Sequence, residues 1–274
     1  MITTDTTVHF SGPYSTFLVI HFEVGGDTKS LEYQESLWPA AINLVKLSDK
    51  YDAKLTLQFT PQWAEYIIKN KINFNLLKKW QKCGHEVALH HHGYDHGDWD
   101  GYTNRFGKEN DPRFRGRVTD MMELMKKLVH PYQLLSGTIT DEEFDYPQGI
   151  KYDTEGIQMY HAVTKPKRVK LGNNDVIQVG MAFLPFDGNI ELFKQEYLKS
   201  VKDQVFGLVT HEMDFSENSK IIQAWFKFVR SRGENIKTVS EIITNYRKDY
   251  EIEYSNMPLT FLRDVIGIFI YTGK

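Results

Sequence analysis

Strand-length apolar runs alternate with helix-like segments along most of the chain, and this alternation narrows the folds open to it more than any other feature. The apolar runs lie at 17–23, 54–60, 85–89, 132–139, 206–210 and 236–239. Helical spacing of apolar residues lies between and after them, at 36–51, 63–69, 74–81, 111–129, 190–202, 220–232 and 240–246. Such alternation is typical of a mostly parallel sheet flanked by helices. We expect one α/β domain over residues 1–274, in which 150–186 is too irregular to assign.

Composition excludes several classes of protein. Lys and Arg total 33 against 36 for Asp and Glu, and a net charge of -3 gives no electrostatic reason to expect nucleic acid as a partner. The single cysteine, Cys83, excludes an internal disulfide framework. No apolar stretch reaches the roughly 20 residues that span a bilayer, so no membrane span is expected. The N-terminal residues lack the pattern of a secretory signal, and we expect a cytoplasmic protein.

Four histidines follow the run at 85–89 within seven residues: His90, His91, His92 and His96. In parallel α/β folds, ligands bind at the carboxyl ends of strands, and neutral imidazole is the commonest side-chain ligand of zinc and similar ions. His92 and His96 are spaced i, i+4 and would face one ion on a helical turn, whereas His90 and His92 share a face if the strand continues. The cluster therefore predicts a metal site.

Acidic and histidine residues end two other strands at the same predicted edge of the sheet. Glu23 and Asp27 follow the first run, and either carboxylate would complete an ion site that keeps a position open for water. His21 lies two residues before Glu23 but is otherwise isolated. His211 ends the run at 206–210, and a histidine there that does not bind metal would serve as a general acid towards a leaving group.

Four segments in this order resemble the polysaccharide deacetylases of the NodB-homology type (carbohydrate esterase family 4). GHEVALHHHGYDH at 84–96 is similar to the family's motif with two histidines four residues apart, and LVTHE at 208–212 resembles its catalytic-histidine motif. KLTLQFTPQW at 54–63 and FKFVRSRGENIKTVSEII at 226–243 resemble its second strand and its final helix and turn. The resemblance implies a distorted (β/α) barrel of about seven mostly parallel strands over 17–246, with 250–274 as a C-terminal extension.

The resemblance also implies an activity, namely metal-dependent removal of an acetyl group from a sugar or glycan intermediate. It implies a divalent ion, with zinc preferred over cobalt, nickel and iron. The candidate ligands are Asp27, His90, His92 and His96. Glu23 is the candidate base, and His211 is the candidate acid. Aromatic side chains near the site would stack on a sugar face, and the candidates are Tyr94, Trp99 and Tyr102.

The sequence departs from the family where two adjacent aspartates are expected, because Glu23 and Val24 stand there. Either Glu23 is a ligand, or Asp27 reaches back across the two glycines that separate them. No arginine-proline motif is present. These departures leave two alternatives open: hydrolysis of a non-sugar amide, and a degenerate carbohydrate-binding protein without activity. The apolar tail of the extension would suit packing on the barrel or on a second copy in a homo-oligomer.

Overall fold

The computed structural model describes residues 12–25, 30–154, 162–184, 190–250 and 252–254. Eleven strands in this described part form one sheet, which curls into a half-barrel. The strands are β1 Ser15–Phe22, β2 Thr56–Phe59, β3 Glu86–His91, β4 Ser136–Ile139, β5 Tyr152–Asp153, β6 Val163–Thr164, β7 Lys167–Leu171, β8 Asn174–Gln178, β9 Ala182–Phe183, β10 Val205–His211 and β11 Glu253–Tyr254. The helices are α1 Glu32–Lys50, α2 Pro61–Lys69, α3 Lys71–Lys82, α4 Val118–Val129, α5 Glu191–Lys199, α6 Phe215–Ser231 and α7 Val239–Asp249.

The sheet runs in the order β11-β7-β8-β5-β4-β3-β2-β1-β10-β6, with β9 also paired to β10. Pairing is parallel from β8 through β5, β4, β3, β2 and β1 to β10, and antiparallel only at β7–β8 and β10–β6 among the described pairs. The predicted α/β class and mostly parallel barrel are confirmed. The strand count exceeds the expected seven because 150–186, left unassigned from sequence, supplies five short strands.

Central strand β1 is buried along its whole length, which explains its nearly continuous apolar sequence. Leu18, Ile20 and Phe22 pack outwards into the core shared with the surrounding helices. Phe17 and Val19 point to the barrel interior and pack in a separate apolar cluster. Because strand side chains alternate between faces, the next inward position on β1 is residue 21.

Helix α7 packs at the amino ends of the strands. Its apolar side chains join the interior cluster, and Thr238 caps it by accepting a hydrogen bond from the Glu241 amide at 3.3 Å. The strand predicted at 236–239 is wrong: Ile236 makes only an isolated bridge with Thr16, and Val239 already begins the helix. The threonine cap overrides the β-branched residues around it.

Glu86 joins α7 to the sheet at this amino end. Its carboxylate accepts hydrogen bonds from the Thr56 hydroxyl at 3.0 Å, from the Ser136 hydroxyl at 2.6 Å and from the Ser240 amide at 3.0 Å. The Ser240 hydroxyl donates a further bond to it. The start of β2, β3, β4 and α7 is thereby tied to one side chain.

Two further expectations concern the ends of elements and of the chain. Within 111–129, where the sequence predicts a helix, α4 begins at Val118, after a long connection from β3. No helix among the described residues is both long and apolar enough to cross a bilayer. Of the predicted extension at 250–274, most lies outside the described residues, and Glu253–Tyr254 pairs with β7 as an added strand.

Candidate metal centre

The carboxyl ends of β1, β3 and β10 bring histidines from three strands together. Parallel pairing sets His21 directly opposite His211, and β3 delivers the next histidines beside them. They line a cavity of about 420 Å³. The cavity-lining residues that are titratable are His21, Glu23, Tyr33, His90, His92, His96, Asp98 and His211. The predicted convergence of histidines from separate strands is therefore present.

The Glu23 carboxylate lies among three imidazoles. Its Oε1 is 3.3 Å from His90 Nε2, and its Oε2 is 3.4 Å from His92 Nε2. The same Oε1 is 3.4 Å from His211 Nε2. The two Nε2 atoms of His90 and His92 are themselves only 2.8 Å apart. Such close grouping of nitrogen and carboxylate oxygen atoms is the donor chemistry of a divalent transition-metal site.

His21 adds a fourth imidazole to the group around Glu23. Its ring is buried and stacks on His90 with centroids 4.0 Å apart. Ligand atoms of His21, Glu23 and His90 all lie within 4.8 Å of one another. His21 Nε2 is buried and has no hydrogen-bond partner among the described residues. An orphaned buried nitrogen costs free energy, and a bound cation would satisfy it, so these residues fit a metal ion.

Protonation also suits metal binding. Burial lowers the pKa of His21 well below its ordinary value and lowers the pKa of His92 to about 2. Both imidazoles are therefore neutral at physiological pH, which is the form that coordinates metal. Burial is the largest single influence on the pKa of Glu23 and raises it, but His90, His92 and His21 together outweigh burial and lower the pKa, so the carboxylate is ionised.

Backbone and carboxylate contacts orient His92. Its Nδ1 is 3.0 Å from the Asp98 carbonyl oxygen, which accepts a hydrogen bond and leaves Nε2 directed at Glu23. The His92 amide donates to Asp100 Oδ2 at 3.2 Å. His91 points to the other face of β3, where its Nδ1 is 2.7 Å from the same Asp100 oxygen. Such outer contacts fix the tautomer of a ligating histidine.

His211 is paired with Asp214. Its Nδ1 is 3.1 Å from Asp214 Oδ2, which leaves Nε2 facing Glu23 and the cavity. Burial is the largest single influence on the pKa of His211 and lowers it, but the hydrogen bond to Asp214 and the charges of the nearby carboxylates together outweigh burial and raise the pKa. A histidine held in this way can take up and release a proton at Nε2 near neutral pH.

Two predicted ligands remain, His96 and Asp27. His96 lines the cavity and its ring lies 4.0 Å from that of His92, but it is exposed and its Nδ1 accepts a hydrogen bond from the Asp98 amide at 3.2 Å. Asp27 lies outside the described residues. His21, which sequence spacing left isolated, belongs to the group of side chains that could hold an ion. Period-two counting from Phe17 and Val19 would have placed it on the interior face.

The predicted sugar-stacking residues do not reach the described wall of the cavity. Trp99 and Tyr102 are buried, and the Trp99 indole donates to the Tyr102 carbonyl at 2.9 Å. Tyr94 packs edge-on against Trp99 with centroids 4.9 Å apart. The aromatic residues that do line the cavity are Tyr33 and Phe183. One lies on α1 and the other on a short strand of the unassigned segment, where no sequence pattern marks them.

No family model matches the sequence, and no curated protein matches it. Among solved structures, a putative polysaccharide deacetylase from Mycobacterium smegmatis is similar at a TM-score of 0.57 and 12% identity, over 89% of this chain and 95% of that chain. Puue allantoinase is similar at a TM-score of 0.59 and 12% identity, over 89% of this chain and 93% of the other.

A third solved structure, 4-alpha-glucanotransferase from Thermococcus litoralis, is similar at a TM-score of 0.60 and 17% identity. The match covers 90% of this chain and 42% of that larger one. At these identities the likeness concerns the course of the backbone. The chain therefore has the fold of the polysaccharide deacetylases, and the resemblance read from its sequence is confirmed at that level.

Proposed function

We propose that the protein is a metal-dependent hydrolase that removes an acetyl group from a sugar or glycan intermediate. The observation that carries the proposal is the Glu23 carboxylate among the imidazoles of His90, His92 and His211 in one cavity. A cation site and a proton-transfer group lie side by side there. Metal-dependent hydrolysis of an ester or amide uses both, since the cation polarises the carbonyl and the proton-transfer group protonates the leaving group.

His21, His90, His92 and Glu23 would hold the cation. Both carboxylate oxygens of Glu23 face imidazole nitrogens, which favours the role of ligand over that of base. Nitrogen and oxygen donors suit zinc, cobalt, nickel and iron, and we take zinc as the first candidate. When bound, the cation would polarise the acetyl carbonyl and lower the pKa of a water molecule.

His211 would move the proton. Because Asp214 holds Nδ1, the Nε2 atom is the one that faces the reacting groups. It would take a proton from the attacking water and return it to the departing amine or alkoxide. Asp214 orients the ring and stabilises the imidazolium that forms between these steps.

The cavity suits a compact polar substrate. At about 420 Å³ it has the size of a small-molecule site. Its floor is polar, and Tyr33 and Phe183 form aromatic walls. Aromatic faces beside a polar floor are suited to a sugar ring, whose faces are apolar and whose edges carry hydroxyl groups.

Acetate release from acetylated mono- and oligosaccharides tests the proposal. The zinc-loaded protein should release acetate, chelation should stop it, and His90→Ala should lose both zinc binding and activity. His130→Ala is the matched control, because this exposed histidine at the end of α4 lies outside the cavity. Zinc-loaded protein that hydrolyses small non-sugar amides but no acetylated sugar would refute the substrate class. Failure to bind any of the four metals would refute the mechanism.

A further inference from the structure

Glu212 follows His211 directly, but its side chain makes hydrogen bonds with different residues. Its side chain is fully buried. Its Oε1 accepts a hydrogen bond from the Glu23 amide at 3.0 Å and another from the Tyr33 hydroxyl at 3.2 Å. One oxygen atom thus holds both a residue of the candidate metal centre and an aromatic wall of the cavity.

The main chain at Glu23 is held from two sides. On the side opposite Glu212, the Glu23 carbonyl accepts a hydrogen bond from the Trp63 indole at 3.0 Å. The following turn passes Gly25 at φ +84°, where an added Cβ would lie 2.2 Å from the Tyr33 ring. Tyr33 can therefore pack this closely only because residue 25 has no side chain. Of these contacts, the one from Glu212 ties Glu23 to the strand that carries His211.

A carboxylate is a costly residue for this position. Burial of a charged group without full hydrogen bonding is unfavourable, and Glu212 Oε2 has no hydrogen-bond partner among the described residues. An apolar residue would pack there at lower cost if the site served stability alone. Both hydrogen bonds described for the side chain lead instead to the cavity.

We propose that Glu212 is a positioning residue, which fixes Glu23 and Tyr33 relative to His211. The proposal rests on the proposed function in so far as Glu23 is taken as a metal ligand. The dipeptide His211–Glu212 then carries both the proton-transfer group and the anchor of a ligand from the neighbouring strand. A shift of Glu23 by a few tenths of an ångström would weaken metal binding, since outer contacts of ligands tune affinity.

Two measurements on Glu212→Leu test this. Leucine fills the buried volume but accepts no hydrogen bond. In the metal-free protein, exchange of the Glu23 amide hydrogen should accelerate by about tenfold or more. Zinc affinity, measured by calorimetric titration, should fall by about 10- to 100-fold. Glu212→Ala provides a second variant should leucine not be accommodated.

Two controls separate positioning from general damage. Glu212→Gln keeps an oxygen that accepts both bonds and should retain zinc affinity within about threefold. Thr210→Val removes a buried hydroxyl on the same strand, one that has no partner among the described residues, and should change neither measurement.

Several outcomes would overturn the proposal. If the exchange rate of the Glu23 amide is unchanged in a folded Glu212→Leu variant, Glu212 does not hold the main chain at Glu23. If the zinc affinity is unchanged, the contact is structural and does not position a ligand. A loss in Glu212→Gln equal to that in Glu212→Leu would contradict the role of the hydrogen bonds. Wild-type protein that binds none of the four metals would refute the proposed function, and amide exchange at Glu23 would then test the role of Glu212 by itself.

Discussion

The two ends of the barrel each place a carboxylate among polar groups, but they satisfy it differently. At the amino end, Glu86 accepts hydrogen bonds from two hydroxyls of neighbouring strands and from both the amide and the hydroxyl of Ser240. At the carboxyl end, Glu23 lies among imidazoles, and His21 Nε2 beside it has no partner among the described residues. The first arrangement is complete by itself, whereas the second leaves a buried nitrogen without a partner among the described residues.

The difference teaches which polar cluster stabilises the fold and which one is available for chemistry. A satisfied cluster lowers the free energy of the folded chain and gains nothing from a ligand. A cluster with an orphaned buried nitrogen is stabilised when a ligand arrives, because binding to the folded state adds to its stability. Polar residues at a strand end are therefore informative through their unmet bonds more than through their number.

The largest effect on stability is expected from Glu86→Ala. Removing this carboxylate leaves partly buried donors of β2, β4 and α7 without an acceptor, at a cost of about 2–4 kcal/mol in the free energy of unfolding. Urea denaturation measures the change. Zinc affinity should stay at the wild-type value, since the carboxylate lies at the opposite end of the strands. A parallel loss of zinc binding would show that the two ends are not independent.

His21→Leu should act in the opposite direction. In the metal-free protein it removes the orphaned nitrogen and fills a buried site with an apolar side chain, which should raise the free energy of unfolding by about 1 kcal/mol. Zinc binding should be lost. Stability curves with and without zinc measure both effects, and a destabilised metal-free variant would contradict the contrast between the ends.

The smallest effect is expected from the pH dependence contributed by His85. Burial lowers the pKa of this histidine, whose Nδ1 accepts the Leu55 amide at 3.1 Å and whose Nε2 is 3.2 Å from Asp49. A folded-state pKa below that of the unfolded chain means that the unfolded chain binds more protons. The contribution of His85 to stability is thus present above about pH 6.5 and is lost as pH falls towards the folded pKa.

His85→Asn removes this titrating group and provides the measurement. The difference in unfolding free energy between wild type and variant should shrink from pH 7.5 to pH 5.5. Comparing the two proteins cancels the contributions of His21 and His92, whose pKa values are also lowered by burial. A difference that does not change with pH would contradict the prediction.

The sequence predicts the parallel architecture because its strands are buried on both faces and read as continuous apolar runs. The prediction is wrong at 236–239. Ile236 and Val239 are residue types typical of a strand, but the Thr238 cap begins a helix there. The short strands of 150–186 pair over two to five residues, too few for a periodic signal. Their positions depend on neighbours distant in the chain.

The sequence predicts the part of the candidate site that comes from residues close together in the chain or at the end of a strand. The clustered histidines of β3 and the histidine that ends β10 lie at the expected edge. His21 was not selected, because an isolated histidine on a buried strand has no local partner. Tyr33 and Phe183 come from separate elements, and only the tertiary packing brings them to the cavity. Tyr94, Trp99 and Tyr102 were chosen by nearness in sequence to the histidine cluster, which does not fix where a side chain points. His96 lines the cavity, and Asp27 lies outside the described residues.

The register of β10 against β1 has a further consequence. Because strand side chains alternate between faces, insertion or deletion of one residue within Val205–His211 would turn the His211 imidazole away from the cavity. The same slip would move Gly207 from its place, where an added Cβ would lie 2.3 Å from the Phe17 ring and 2.6 Å from the Gly180 carbonyl oxygen. The length of this strand is therefore constrained both by the packing at Gly207 and by the direction of the His211 side chain.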